Sequence, residues 1–172
     1  MLGMRLQGQS TEISRGAAVH HPHHGIGQVQ QVGKRRFAGS NGPDYAQLYF
    51  KRDDLTLIMP VDDVANTVRR PLDASQAGQL LDYIEHWNGK CSKQWKARAA
   101  AHQQAMERND PFAYAEVCKG LSRLESEGNL RHTDRTHLNR SIQFLADELA
   151  YALDKTPDYA RMLIVKATGN GE

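Results

Sequence analysis

Residues 45–87, YAQLYFKRDDLTLIMPVDDVANTVRRPLDASQAGQLLDYIEHW, change hydrophobic period part-way along. From Tyr45 to Phe50 the chain alternates, with Ala46, Leu48 and Phe50 on one side and Tyr45, Gln47 and Tyr49 on the other. A period of two is that of a strand with one buried face. After the polar turn Lys51-Arg52-Asp53-Asp54, residues Leu55–Met59 read as another strand. Thr56 and Ile58 point to one side of it, and Leu57 and Met59 to the other. Beyond Pro71 the spacing turns helical: Ala77, Leu80, Leu81, Ile84 and Trp87 recur on one face, which places Trp87 in a core. Two periods separated by a proline predict two structural classes in one chain, with the boundary near residues 70–74.

Toward the N-terminus, Ala18–His21 and Gly27–Val32 flank a Pro-His-His-Gly turn, and Gly39–Pro43 is a loop by composition. Asp62-Asp63 reads as a solvated turn. Four or five short strands with tight connections predict a small barrel or a strongly curved antiparallel sheet. Toward the C-terminus, Ser92 is the expected N-cap of a helix reaching about Arg108. Asp110-Pro111 opens the next helix, with Tyr114, Val117, Leu121 and Leu124 inward and Gly128 as its stop. Thr133 is the expected cap of a helix carrying Leu138, Ile142, Leu145, Leu149 and Leu153, and Thr156-Pro157 starts the last. The expected fold class is therefore α+β in two domains. Residues 1–12 form a disordered lead, 13–70 a β domain, 74–167 a compact bundle of about five helices, and 168–172 a tail.

The 172 residues carry a net charge of +2, but unevenly. Residues 86–108 hold Lys90, Lys93, Lys96, Arg98 and Arg108 against Glu107 alone, net +4, while the segments before and after are neutral and net negative. A local basic block is what a polyanion requires. With Ser92 as cap, Trp95 falls in the first helical turn. Lys93 and Lys96 are three apart, as are Trp95 and Arg98, so each pair shares a face. A helix N-terminus suits a phosphate, the cations attract DNA at long range, and an apolar ring can hold a kinked or melted base step. The competing reading makes Trp95 a core residue and the lysines a solvated face.

Two cysteines 27 positions apart, Cys91 and Cys118, form no ligand pattern and read as reduced thiols. There is no run of apolar residues long enough to span a membrane and no signal-peptide core, so the expectation is a cytoplasmic protein. His20, His21, His23 and His24 could collect a metal. No cysteine or carboxylate lies near them in sequence, however, and no metal or cofactor is expected. No nucleophile motif or phosphate-cradling loop supports an enzyme.

Six segments together resemble the CarD/CdnL family of transcription factors. They are Val19-His-His-Pro-His-His-Gly-Ile-Gly27, Asp54-Leu-Thr-Leu-Ile-Met-Pro-Val61, Arg70-Pro-Leu72, Trp95-Lys-Ala-Arg98, Ala115-Glu-Val117 with Leu121, and Glu148-Leu-Ala150. They run in the family's order over roughly residues 13–166. The chain departs from the family pattern at Gly16-Ala17, at His21 and at Thr67-Val68-Arg69. The resemblance implies a Tudor-like domain that docks the Leu55–Met59 strand on the β1 lobe of the RNA polymerase β subunit. Thr56, Leu57, Ile58, Met59 and Arg35 are the contact residues it assigns, and His24 is its structural turn histidine. It further implies a helical domain that meets promoter DNA at the upstream bubble edge. There Trp95 acts as a wedge and Lys90, Lys93, Lys96 and Arg98 face phosphates. The expected protein is a non-enzymatic monomer that stabilises the open promoter complex. Two other readings stay open on sequence: a protein–protein adaptor with a buried Trp95, and a metal-dependent enzyme built on the histidines.

Overall fold

The computed structural model describes residues 11–34 and 42–169. Arg35 and the tip of the Gly39–Pro43 loop fall outside these residues, as do most of the expected lead and tail. The chain divides into two compact units, 1–70 and 71–172.

The first unit is an antiparallel meander in the order β1-β2-β3-β4, formed by β1 Ala18–His21, β2 Gly25–Lys34, β3 Asp44–Phe50 and β4 Leu55–Pro60. Ala46, Leu48 and Phe50, the alternating face of β3 read from sequence, are fully buried in its core, where Val19 and Val29 join them. Two glycines make the tight β1–β2 hairpin feasible. Gly25 closes the turn at φ +72. At Gly27 a Cβ would lie 2.5 Å from the Phe50 ring, so the ring packs directly on backbone. A bulge between Val29 and Gln31 shifts the β2–β3 register from Val29↔Leu48 to Gln31↔Gln47.

A short helix, α1 Val61–Thr67, follows β4 and corrects the reading of Asp62-Asp63 as a turn. Both carboxylates sit in its first turn, where they complement the helix N-terminus. Val64 is completely buried in the sheet core, and burial of one side chain, which no seven-residue period can reveal, is what secures the helix. The chain then returns to β1. His20 and Arg69 exchange backbone hydrogen bonds of 2.8 and 3.1 Å across its outer edge. One edge of the sheet is thereby covered, while β4 pairs only with β3 among the described residues. The arrangement is compatible with a Tudor-like domain.

The second unit holds α2 Ala74–His86, α3 Trp95–Glu107, α4 Pro111–Ser126, α5 His132–Leu153 and α6 Pro157–Thr168. Asp110-Pro111 and Thr156-Pro157 start α4 and α6 as read, each cap oxygen accepting from a first-turn amide, Phe112 N at 2.9 Å and Tyr159 N at 3.2 Å. Two caps differ. α3 begins after Gln94 rather than Ser92, and α5 after Arg131 rather than Thr133. The core gathers Leu80, Ile84, Tyr114, Leu121, Phe144, Leu145, Leu149 and Ile164. Trp87, expected there, caps α2 half-buried instead, with the Arg123 guanidinium 5.7 Å from its ring centroid. Arg123 also donates to the carbonyls of Trp87 and Gly89, at 2.7 and 3.0 Å. α3 shows no apolar stripe, because the residues it buries are Arg98, His102 and Met106.

Candidate nucleic-acid interface and open sheet edge

Since α3 starts at Trp95, the indole projects from the first helical residue, 42% exposed. Lys96 follows it on the helix, and Lys90 and Lys93 stand exposed on the connector before it. Two cations flank the ring. The Lys96 ammonium lies 5.6 Å from its centroid, and the Arg131 guanidinium, from the N-terminus of α5, lies 5.5 Å away. Both distances fall in the range where a cation is attracted to an aromatic ring. Sequence reasoning missed Arg131, and no local signal could have found it. It is 36 positions from Trp95, and only the packing of α5 on α3 brings them together.

Arg98 requires a correction. It was expected at a phosphate, yet it is 4% exposed and fully engaged. Its Nε and Nη2 donate to the two carboxylate oxygens of Asp134 at 2.9 and 2.6 Å, and Nη1 donates to the Ser92 carbonyl at 2.8 Å. Asp134 in turn accepts from the Arg131 backbone N–H at 3.2 Å. The hydrogen bond from Arg98, with the added one from the Arg131 backbone, holds the Asp134 carboxyl below the usual aspartate range against the opposing effect of burial. One ion pair thus fastens three things at once: the connector that carries the lysines, the start of α3, and the start of α5. Arg98 supports the surface from beneath.

Behind the pair, the His102 and His137 rings meet edge to face, with centroids 6.1 Å apart. Burial, reinforced by His137, pushes the His102 imidazole down to about 4, and burial also lowers His137. Cys91 Sγ stands 3.7 Å from His102 Nε2.

In the sheet unit, Thr56 and Ile58 lie exposed on β4, while Leu57 and Met59 pack partly buried against the core. On this outer face Ile58 and Gln47 line a shallow groove with Tyr45, Gln31 and Lys34. The histidines sit at the β1–β2 turn. His20 and His21 are buried, His21 Nδ1 accepts from the His23 amide at 3.1 Å, and His24 Nδ1 bonds Asp53 at 3.0 Å. Among the described residues no three His, Cys, Asp or Glu side chains are gathered to hold a metal. No helix among them is long and apolar enough to cross a membrane.

Comparison with known proteins bears on both surfaces. Residues 13–72 match the family profile described as the CarD-like/TRCF RID domain, and residues 79–165 match the C-terminal domain of CarD. The chain belongs to the CarD family. Its similarity extends to the putative transcription factor YdeB of Bacillus subtilis (strain 168), 21% identical over 135 residues, which cover 78% of this chain and 88% of that protein. Membership in the CarD family supports a transcription-related role of the RNA-polymerase-interacting kind.

Proposed function

We propose that this CarD-family protein is a non-catalytic transcription regulator with two handles. The β4 edge binds the β1 lobe of the RNA polymerase β subunit, and the Trp95 surface binds promoter DNA at the upstream edge of the bubble. The observation that carries the reading is the half-exposed indole at a helix N-terminus with Lys96 and Arg131 at its ring. An apolar ring placed between base steps holds them unstacked at a cost of about a few kcal/mol per step, which contacts around the wedge must offset. Lys90, Lys93, Lys96 and Arg131 supply phosphate contacts, and Arg98 with Asp134 holds them in register. An adaptor would bury Trp95, so the exposure of the ring favours the nucleic-acid reading.

For polymerase, an edge strand offers the unpaired N–H and C=O groups that strand addition uses, with alternate side chains giving selectivity. Thr56 and Ile58 occupy that role on the exposed face, and Leu57 and Met59 set the strand on its core. Arg35 belongs to the same proposal through its match to a family position. Tethering through polymerase raises the effective concentration of a weak DNA contact, so open complexes are stabilised without tight binding to free duplex.

The test is Trp95→Ala in a reconstituted promoter assay. Open-complex lifetime is expected to fall about tenfold, equivalent to roughly 1.4 kcal/mol, while pull-down of the polymerase β1 lobe stays unchanged. Equal loss of both, or loss of neither, contradicts the division of labour.

A further inference from the structure

The α2–α3 connector, α3 and α4 bound an open cavity of about 230 Å³. That is room for far more than one water, which needs only about 10–15 Å³. The connector that forms one wall is pinned on both sides of Lys90. Before it, Arg123 holds the Trp87 and Gly89 carbonyls. After it, Arg98 holds the Ser92 carbonyl, and the Cys91 sulfur rests on the backbone of α4, where a Cβ on Gly120 would come within 2.3 Å of it. Arg108 reaches the cavity from the far end of α3, which it caps, and Asn109 at φ +53 turns the chain from there into α4.

The lining carries three cations, Lys90, Arg98 and Arg108, against one carboxylate, Glu116. Two of these charges are already engaged. Arg98 is paired with Asp134, and Glu116 accepts the Tyr83 hydroxyl at 2.5 Å. Lys90 and Arg108, 18 positions apart in sequence, have no ion-pair partner among the described residues. Two unneutralised cations on opposite stretches of chain therefore border one water-accessible cavity. A single anion with several charged oxygens can bridge them. Phosphate is the group whose geometry the arginine fork matches in bidentate fashion, with lysine as a point charge beside it.

We propose that this cavity is a phosphate-binding site in which Lys90 and Arg108 hold the anion between the connector and the end of α3. The ligand is a phosphate group, carried either by a small phosphate compound or by a nucleic-acid backbone. The site stands apart from the Trp95 wedge, although Lys90 serves both surfaces.

The experiment is a titration of the full chain with inorganic pyrophosphate at fixed ionic strength, followed by amide NMR. Saturable shifts are expected at the Lys90, Cys91 and Arg108 amides and at the Trp87 indole N–H, with the Trp95 indole unmoved. Sodium chloride at matched ionic strength should not reproduce them, since it only screens. Lys90→Gln and Arg108→Gln are each expected to weaken binding about tenfold, the effect of losing one charge-assisted contact. Lys155→Gln, an exposed cation outside the cavity, should leave it unchanged. Lys90 and Arg108 are exposed too, so the variants should keep the wild-type amide spectrum, which checks their fold. Shifts that never saturate, that centre on Trp95, or that persist undiminished in both cavity variants overturn the proposal. Promoter duplex added to the bound state separates the sources: displacement of pyrophosphate assigns the site to the DNA backbone, and simultaneous binding assigns it to a small phosphate compound. Pyrophosphate binding is read without DNA, so its failure leaves the Trp95→Ala assay standing, and failure of that assay leaves this site standing.

Discussion

Trp95 and Arg98 lie three positions apart on α3 and serve opposite purposes. The ring is offered to solvent, and the guanidinium is withdrawn into an ion pair whose side chains are 5% and 2% exposed. Removing one partner of such a pair leaves an uncompensated buried charge, which costs about 3–5 kcal/mol. Asp134→Ala is therefore expected to lower the unfolding free energy of the helical unit by that amount, measured by urea denaturation. It should also weaken DNA binding without having touched DNA. Lys96→Gln should barely change stability, since its ammonium is exposed, yet reduce the slope of log affinity against log salt by about 1, as loss of one phosphate contact does. An unchanged slope would remove Lys96 from the interface.

At the scale of elements, the open edge of β4 and the N-terminus of α2 give separate tests. Ile58 is 41% exposed, so Ile58→Glu is expected to alter stability by no more than about 0.5 kcal/mol while lowering capture of the polymerase β1 lobe. Retained capture would place the polymerase contact elsewhere. At α2, Asp73 and Gln76 form a reciprocal cap: the Asp73 carboxylate accepts from Gln76 N at 2.8 Å and the Gln76 amide oxygen accepts from Asp73 N at 3.0 Å. Asp73→Ala should cost about 1 kcal/mol, read from the same denaturation curves. α3 depends least on apolar burial, because its inward positions are Arg98, His102 and Met106.

For the whole molecule, acid is the informative variable. His21 in the sheet unit and His102 in the helical unit are each lowered from 6.5 to about 4, chiefly by burial. Unfolding exposes them to water, where they take up protons more readily. The unfolded chain thus binds more protons throughout that window. Stability is greatest above pH 6.5 and falls as pH drops toward 4. Denaturation at pH 7.5 and 4.5 should show this loss, and the double substitution His21→Gln, His102→Gln should flatten it. A profile as steep as wild type would assign acid sensitivity to other groups. Other contacts also bear on the helical unit at this scale. The Lys119 ammonium donates to the carbonyls of Glu85, Ala167 and Thr168 at 3.3, 2.9 and 3.3 Å, joining the C-terminal ends of α2 and α6.

Sequence by itself determined the four strands, the inward face of β3, the five later helices and the proline-capped starts of α4 and α6. Each of these follows from side-chain periodicity or from a capping group within a few residues, which are local properties of the chain. Family motifs also led to an exposed Trp95, which is 42% exposed at the start of α3, while its contact with DNA belongs to the proposal. Only the tertiary structure decided that Arg98 is buried, that Arg131 meets the Trp95 ring, that Trp87 caps a helix, and that residues 61–67 coil to bury Val64. These depend on partners up to 36 positions away, as with Arg98 and Asp134. A charged side chain has the same local pattern whether it faces water or a buried counter-ion, and only the packing of distant elements determines which it meets.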